Sequence, residues 1–211
     1  AMHQMYQLMK SLNEKKKFKE LEKISNYIDE AGIKTNVLIE NLFKWGYIQK
    51  EPIILHKEKI YLKKFIEELL EFFSPLKFIK NFSINLNCDD DPYLNLDPDC
   101  LSIILRNIVD NAQKSLKENE GLINIYVLRT QDDAVTIKIT DNGVGVEESK
   151  LELIRNVFKH PKVELINHEK LGMGSVLISK CVSLCEGVID IASKIDVGTT
   201  VNITFHNQTI D

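Results

Sequence analysis

The chain changes its hydrophobic period once, at Glu51-Pro52, and that change limits what it can fold into. Before it, Leu21, Ile24, Ile28, Ala31, Thr35, Leu38, Leu42 and Trp45 recur in steps of three and four, a heptad seam. A helix with one narrow apolar stripe cannot bury it alone, so the seam requires a second helix. Met5, Leu8 and Leu12 form a short stripe upstream, ahead of the polar run Asn13 to Lys17, and are the candidate partner. Residues 1–50 are therefore expected to form part of a helical hairpin, dimeric in a full-length protein. Packing of the one long helix on the region that follows is the alternative, and Gly32 and Thr35 weaken the seam.

Pro52 cannot continue a helix, and residues 51–211 read differently. Ile53 to Leu55 resembles a short strand, and Phe65, Ile66, Leu69, Leu70 and Phe73 make a helical face. Phe82, Ile84 and Leu86 alternate as a strand does. Asp97-Pro98 predicts a helix start, with Asp as N-cap and Pro in the first turn. Leu101, Ile104, Leu105, Ile108, Val109 and Ala112 form the apolar side of that helix. Strands are expected over Ile123–Leu128 and Val135–Thr140, then a loop-rich stretch and a helix from about Ser175 to Cys185. Strands over Val188–Ala192 and Thr200–Phe205 close the pattern. Consecutive strands with short turns predict an α+β fold, a two-layer α/β sandwich whose mixed, mostly antiparallel sheet carries helices on one face.

Composition narrows the function classes. Charged residues make up 27% of the chain and the formal net charge is −4, which argues against a general nucleic-acid binder. No apolar run has the length of a membrane span, and the start lacks the features of a signal peptide. Ala1 ahead of Met2 reads as a cloning remnant, so a membrane anchor belonging to a longer protein would lie outside these residues. Cys88, Cys100, Cys181 and Cys185 have no histidine pair or second close cysteine pair beside them, and read as buried thiols in a reducing cytoplasm.

Three polar clusters interrupt the apolar pattern. Asn107 and Asn111 share a helix face, with Lys114 three residues further on. Side-chain amide oxygens can coordinate Mg²⁺ and a lysine can meet phosphate; a solvated helix face has the same composition. Asp141-Asn142-Gly143-Val144-Gly145 follows a strand, where an acid can accept from an exocyclic amine and glycines let backbone approach a ligand. Gly172-Met173-Gly174 precedes a helix, where exposed N–H groups suit a phosphate. Each of these alone also fits an ordinary turn or junction.

Their order is more specific. Leu105 to Lys114 resembles the N box, Asp141 to Gly145 the G1 box, Gly172 to Gly174 the G2 box, and Gly198-Thr199-Thr200 the closing Gly-Thr of one ATP-binding family. That family is shared by histidine kinases, type II topoisomerases, the large heat-shock chaperone and mismatch-repair ATPases, and its domain is the Bergerat-type fold. The likeness covers roughly Lys57 to Phe205. Its hydrolase branches carry a glutamate four residues before the metal-binding Asn; Asn107 stands there, and an amide cannot take a proton from water at neutral pH. The resemblance therefore implies the ATP-binding catalytic domain of a sensor histidine kinase, and Leu38 to Trp45 resembles the end of that family's second dimerisation helix. It implies ATP and Mg²⁺ as cofactors. Asp141 would bind the adenine amino group with Thr199 in support. Asn111 and Asn107 would hold the metal, Lys114 would neutralise phosphate, and Gly143, Gly145, Gly172 and Gly174 would shape the loops. A second copy of the chain and a response-regulator receiver domain are the implied partners.

Two departures stand out. Lys170 occupies the place of a usual lid glycine, which implies a stiffer lid or a lysine reaching the phosphates. None of His3, His56, His160, His168 and His206 sits in the family's phosphoacceptor context, so autophosphorylation of these residues is not expected. The alternatives are a serine-kinase anti-sigma factor, which usually lacks a long helix in front, and a non-catalytic interaction module of the same fold.

Overall fold

Asp97 shows how the sequence sets the central helix. It is 8% exposed, and its Oδ1 accepts the Cys100 N–H at 3.0 Å while Oδ2 accepts the His56 N–H at 2.9 Å. One carboxylate thus caps the helix and ties down the chain entering the fold. The computed structural model describes residues 55–71, 73, 82–88, 90–117, 121–130, 134–161 and 173–207. The expected hairpin of residues 1–50, Ile53 and Ile54, the Gln131–Asp133 turn, and His168, Lys170 and Gly172 lie outside the described residues.

In chain order the elements are β1 (Glu58–Tyr61), α1 (Leu62–Glu71), β2 (Phe82–Asn87), β3 (Tyr93–Leu96), α2 (Pro98–Ser115) and β4 (Gly121–Arg129). They continue with β5 (Ala134–Asp141), α3 (Glu148–Lys159), α4 (Met173–Leu184), β6 (Val188–Lys194) and β7 (Gly198–His206). Five strands form one sheet in the order β2-β4-β5-β7-β6. Only the β2–β4 pair in it is parallel, because its two strands are joined through α2 rather than by a tight turn. The α+β sandwich with a mostly antiparallel sheet is as expected.

Alternation along the strands builds the core. Ile123, Ile125 and Val127 of β4, Ile137 and Ile139 of β5, and Val201, Ile203 and Phe205 of β7 are buried. Against them α2 sets Leu101, Ile104, Leu105, Ile108, Val109 and Ala112, the predicted apolar side, and α4 adds Ile178 and Val182. Each such side chain stabilises the fold by roughly 1.5–3 kcal/mol. The opposite sheet face is polar and partly solvated, with Thr136 and Thr204 hydroxyls 2.8 Å apart across β5 and β7.

Three elements differ from the sequence reading. Leu55 is not in a strand; the first strand is β1, which pairs antiparallel with β3 as a separate two-stranded sheet. Both are only four residues long; β1 buries Ile60 alone, and β3 alternates over Leu94 and Leu96 for too few residues to stand out as a strand. The stretch expected to be loop contains α3, a helix of 12 residues that buries only Leu151 and Ile154. All four cysteines are free and buried. The Cys185 thiol is hydrogen-bonded to Cys100, which together with burial pushes its pKa up and leaves it unreactive. Among the described residues no group of side chains is arranged to hold a metal through His, Cys, Asp or Glu, and no helix is long and apolar enough to cross a membrane.

Replacing Asp97 removes the cap and the tie to His56 together. Asp97→Ala is expected to lower stability in urea unfolding by about 1–2 kcal/mol, and Asp97→Asn by less, since asparagine also caps.

Candidate nucleotide site

The register of the sheet carries a carboxylate to the end of an apolar face. Ile125, Ile139, Val201 and Ile191 lie side by side across β4, β5, β7 and β6. Two residues further along, the same face carries Ile123, Asp141, Thr199 and Ser193. Asp141 therefore points toward the helices although it is charged. Burial raises its pKa above the usual carboxylate value; the Gly143 N–H, the Ser115 hydroxyl and the Thr199 backbone oppose that rise without cancelling it. Its Oδ1 accepts from Gly143 N at 2.9 Å and lies 3.1 Å from Ser115 Oγ.

The loop after β5 is held from two sides. Val144 N–H donates to the Ser115 carbonyl at 2.9 Å, and Asp196 N–H donates to the Val144 carbonyl at 2.9 Å. Ser193 Oγ accepts the Val146 N–H at 2.9 Å and lies 3.0 Å from the Thr199 hydroxyl. Gly198 makes the close approach of β7 to β5 possible: its φ is +128°, and a Cβ there would overlap the Asp141 carbonyl.

These parts enclose a cavity of about 390 Å³, within the range of small-molecule pockets. Ile139, Val201 and Ile191 line its sheet side; Ile108, Asn111, Ala112, Lys114 and Ser115 come from α2. Lys150, Ile154 and Phe158 come from α3, and Ser175 and Ile178 from α4. A flat aromatic group fits between such aliphatic walls with its polar edge at Asp141, and the amide and lysine of α2 suit a charged tail.

Of the predicted site residues, Asn111, Lys114, Asp141, Gly145 and Thr199 line this cavity. Asn107, Gly143 and Gly174 support it from behind. Asn107 Nδ2 donates to the Ile103 carbonyl at 2.7 Å. A Cβ on Gly174 would stand 2.9 Å from Asn107 Oδ1, so the start of α4 packs directly on the two asparagines. Lys114 also forms an ion pair with Asp110 at 2.6 Å, exposed and therefore weak. The sequence reading missed Ser115, Lys150, Ile154 and Ser175. For Ile154 a signal existed: Leu151, Ile154 and Phe158 recur at helical spacing. Ser115 and Ser175 are adjacent to predicted motifs but carry no signature of their own.

A half-buried aspartate at a strand end, two asparagines on the facing helix and a glycine-bearing helix start are thus brought together around one cavity. The model of the histidine kinase-, DNA gyrase B-, and HSP90-like ATPase family matches residues 96–209, more than half of the chain, and the chain belongs to that family. Relatives that it matches include sensor kinases. The chain is 22% identical over 190 residues to sensor histidine kinase YvrG of Bacillus subtilis (strain 168), covering 90% of this chain and 32% of that protein. It thus spans about a third of that relative's length. The solved structure of full-length ShkA in complex with AMPPNP matches at a TM-score of 0.68 with 18% identity, over 83% of this chain and 36% of that one. Histidine kinase ThkA in complex with response regulator protein TrrA matches at 0.62 with 17% identity, over 90% of this chain and 51% of that one. Residues 96–209, from the end of β3 through β7, thus form a domain of that ATPase family, and YvrG, which the chain resembles, is a sensor histidine kinase.

The raised pKa of Asp141 has a stability consequence. For an acid whose folded pKa lies above its unfolded value, the native state binds more protons in the window between the two, so stability falls as pH rises through it. At pH 7 the buried charge is a cost. Asp141→Asn is therefore expected to leave the nucleotide-free melting temperature at pH 7 unchanged or higher, while weakening adenine-nucleotide binding at least tenfold, both checked by thermal melts with and without ADP.

Proposed function

We propose that this chain is the catalytic part of a sensor histidine kinase, binding ATP with Mg²⁺ and passing the γ-phosphoryl group to a histidine that is not among these 211 residues. One observation carries the reading: Asp141 and Asn111 face one cavity from opposite layers, one suited to an aminopurine and the other to the phosphate end. Asp141 accepts from the exocyclic amine, with Thr199 beside it. Asn111 offers its amide oxygen to the metal. Asn107 fits the same role, because its Nδ2 is spent on Ile103 and its Oδ1 is left facing the start of α4. Held by these amides, Mg²⁺ would offset phosphate charge, the main requirement of phosphoryl transfer. Lys114 adds positive charge, and Gly172 and Gly174 allow the lid backbone to approach.

Among the described residues the titratable side chains lining the cavity are Asp141, Lys114 and Lys150, and none of these is a carboxylate base beside Asn111. Asn107 stands where the hydrolase branches carry the glutamate that activates water. Transfer to a protein acceptor is favoured over hydrolysis. Residues 1–50 would supply a dimerisation hairpin ahead of the catalytic domain in 51–211. A second copy of the chain and a receiver domain would be the partners, in the cytoplasm.

Calorimetry with AMPPNP tests the nucleotide site. Wild type is expected to bind in the micromolar range with Mg²⁺, about −8 kcal/mol, and Asn111→Ala to lose most of the Mg²⁺-dependent increment. Absence of binding at millimolar nucleotide would leave the non-catalytic interaction module instead. Incubation with γ-labelled ATP is expected to leave no label on the chain; acid-labile, base-stable label on any of its five histidines would refute the missing acceptor.

A further inference from the structure

We infer that Ser115 is a specificity-determining positioning residue, whose hydroxyl orients Asp141 toward the aminopurine edge and so sets preference for adenine; this rests on the nucleotide-binding reading above. Ser115 is the last residue of α2, one step beyond the lysine that closes the matched motif. It joins α2 to the loop after β5 through two atoms. Its carbonyl accepts the Val144 N–H at 2.9 Å, and its Oγ stands 3.1 Å from Asp141 Oδ1. Space is tight: a Cβ on Gly143 would overlap Ser115 Oγ, so the glycine exists partly to admit this hydroxyl.

The hydroxyl has one proton and two acceptors, the Ala112 carbonyl at 2.7 Å and Asp141 Oδ1 at 3.1 Å. Donation to Ala112 is the ordinary back-bond of a serine in a helix. Donation to Asp141 stabilises the carboxylate and, together with the Gly143 N–H, occupies Oδ1. Held at Oδ1 by these two partners and set beside Thr199 of β7, the carboxylate is fixed in one orientation in which Oδ2 can accept from an exocyclic amine. A purine bearing a 6-oxo group instead offers an acceptor to an acceptor, which is repulsive. The fixed orientation makes that difference count, since a carboxylate free to rotate could turn away from the mismatch. Ser115 also lines the cavity, so its effect is local to the base end of the site.

The test compares ADP with IDP, which differ at the purine 6-position, by calorimetry on the whole chain with Mg²⁺. Wild type is expected to prefer ADP. Ser115→Ala is expected to shrink the ADP/IDP affinity ratio by about five- to tenfold, the net worth of one ordinary hydrogen bond. Ser115→Thr, which keeps the hydroxyl, should retain the ratio. A purely structural role would weaken both nucleotides equally and leave the ratio unchanged, which would overturn the inference. So would a Thr variant that loses the ratio as Ala does. Wild-type chain binding neither nucleotide would overturn the functional reading and the inference with it. Thermal melts of each variant establish that the protein measured is folded.

Discussion

The pairing of β5 with β7 is the constraint on which the site depends. It sets Thr199 opposite Asp141 and lines both up with the buried Ile139–Val201 row. A shift of the register by one residue would turn Asp141 to the solvated face and bring Thr140 into its place. The register tolerates no side chain at Gly198, where the two backbones come closest. A polar group that burial opposes is thus held inward by the pairing of β5 with β7 from Ala134–His206 to Asp141–Thr199. The local cost is borne by the whole sheet.

The helical layer answers this from the other side. Helix α2 is held at its first turn by Asp97 and at its last by Ser115, and between them its apolar face is buried on the sheet. Asn107 and Asn111, proposed to hold a metal–phosphate group, sit along that helix, next to its buried stripe. Their positions therefore follow from core packing rather than from a flexible loop. Helix α4 completes the arrangement: its glycine start rests against Asn107, and its Ile178 and Val182 enter the same core.

Much of this was readable in the residues because single positions had single physical uses. Asp97-Pro98 could only begin a helix, and the Leu101–Ala112 pattern could only bury one face. Asp141 with its glycines, and the spacing of Asn107 and Asn111, pointed to a nucleotide in the right order. What was not readable has a reason in each case. Strand β1 buries a single residue and β3 alternates over only two, too little for either to stand out. Helix α3 is mostly polar because only one side of it touches the domain. Ser115 and Ser175 belong to the site through tertiary approach, with nothing in their local sequence to separate them from surface serines. Lys114 was expected at phosphate, and it does line the cavity, yet spacing alone did not foretell its partner Asp110, one turn back.

The double bond of Asp97 makes the helix a stiff rod with a handle. His56 N–H and the first turn of α2 share one carboxylate, so the two cannot move independently without breaking a hydrogen bond. From Asp97 to Asn111 the helix runs ~21 Å, at about 1.5 Å per residue. The same helix ends at Ser115, bonded to Asp141 and to the Val144 N–H, so the point where the chain enters the domain and the loop after β5 are the two anchored ends of one rod, with Asn111 between them.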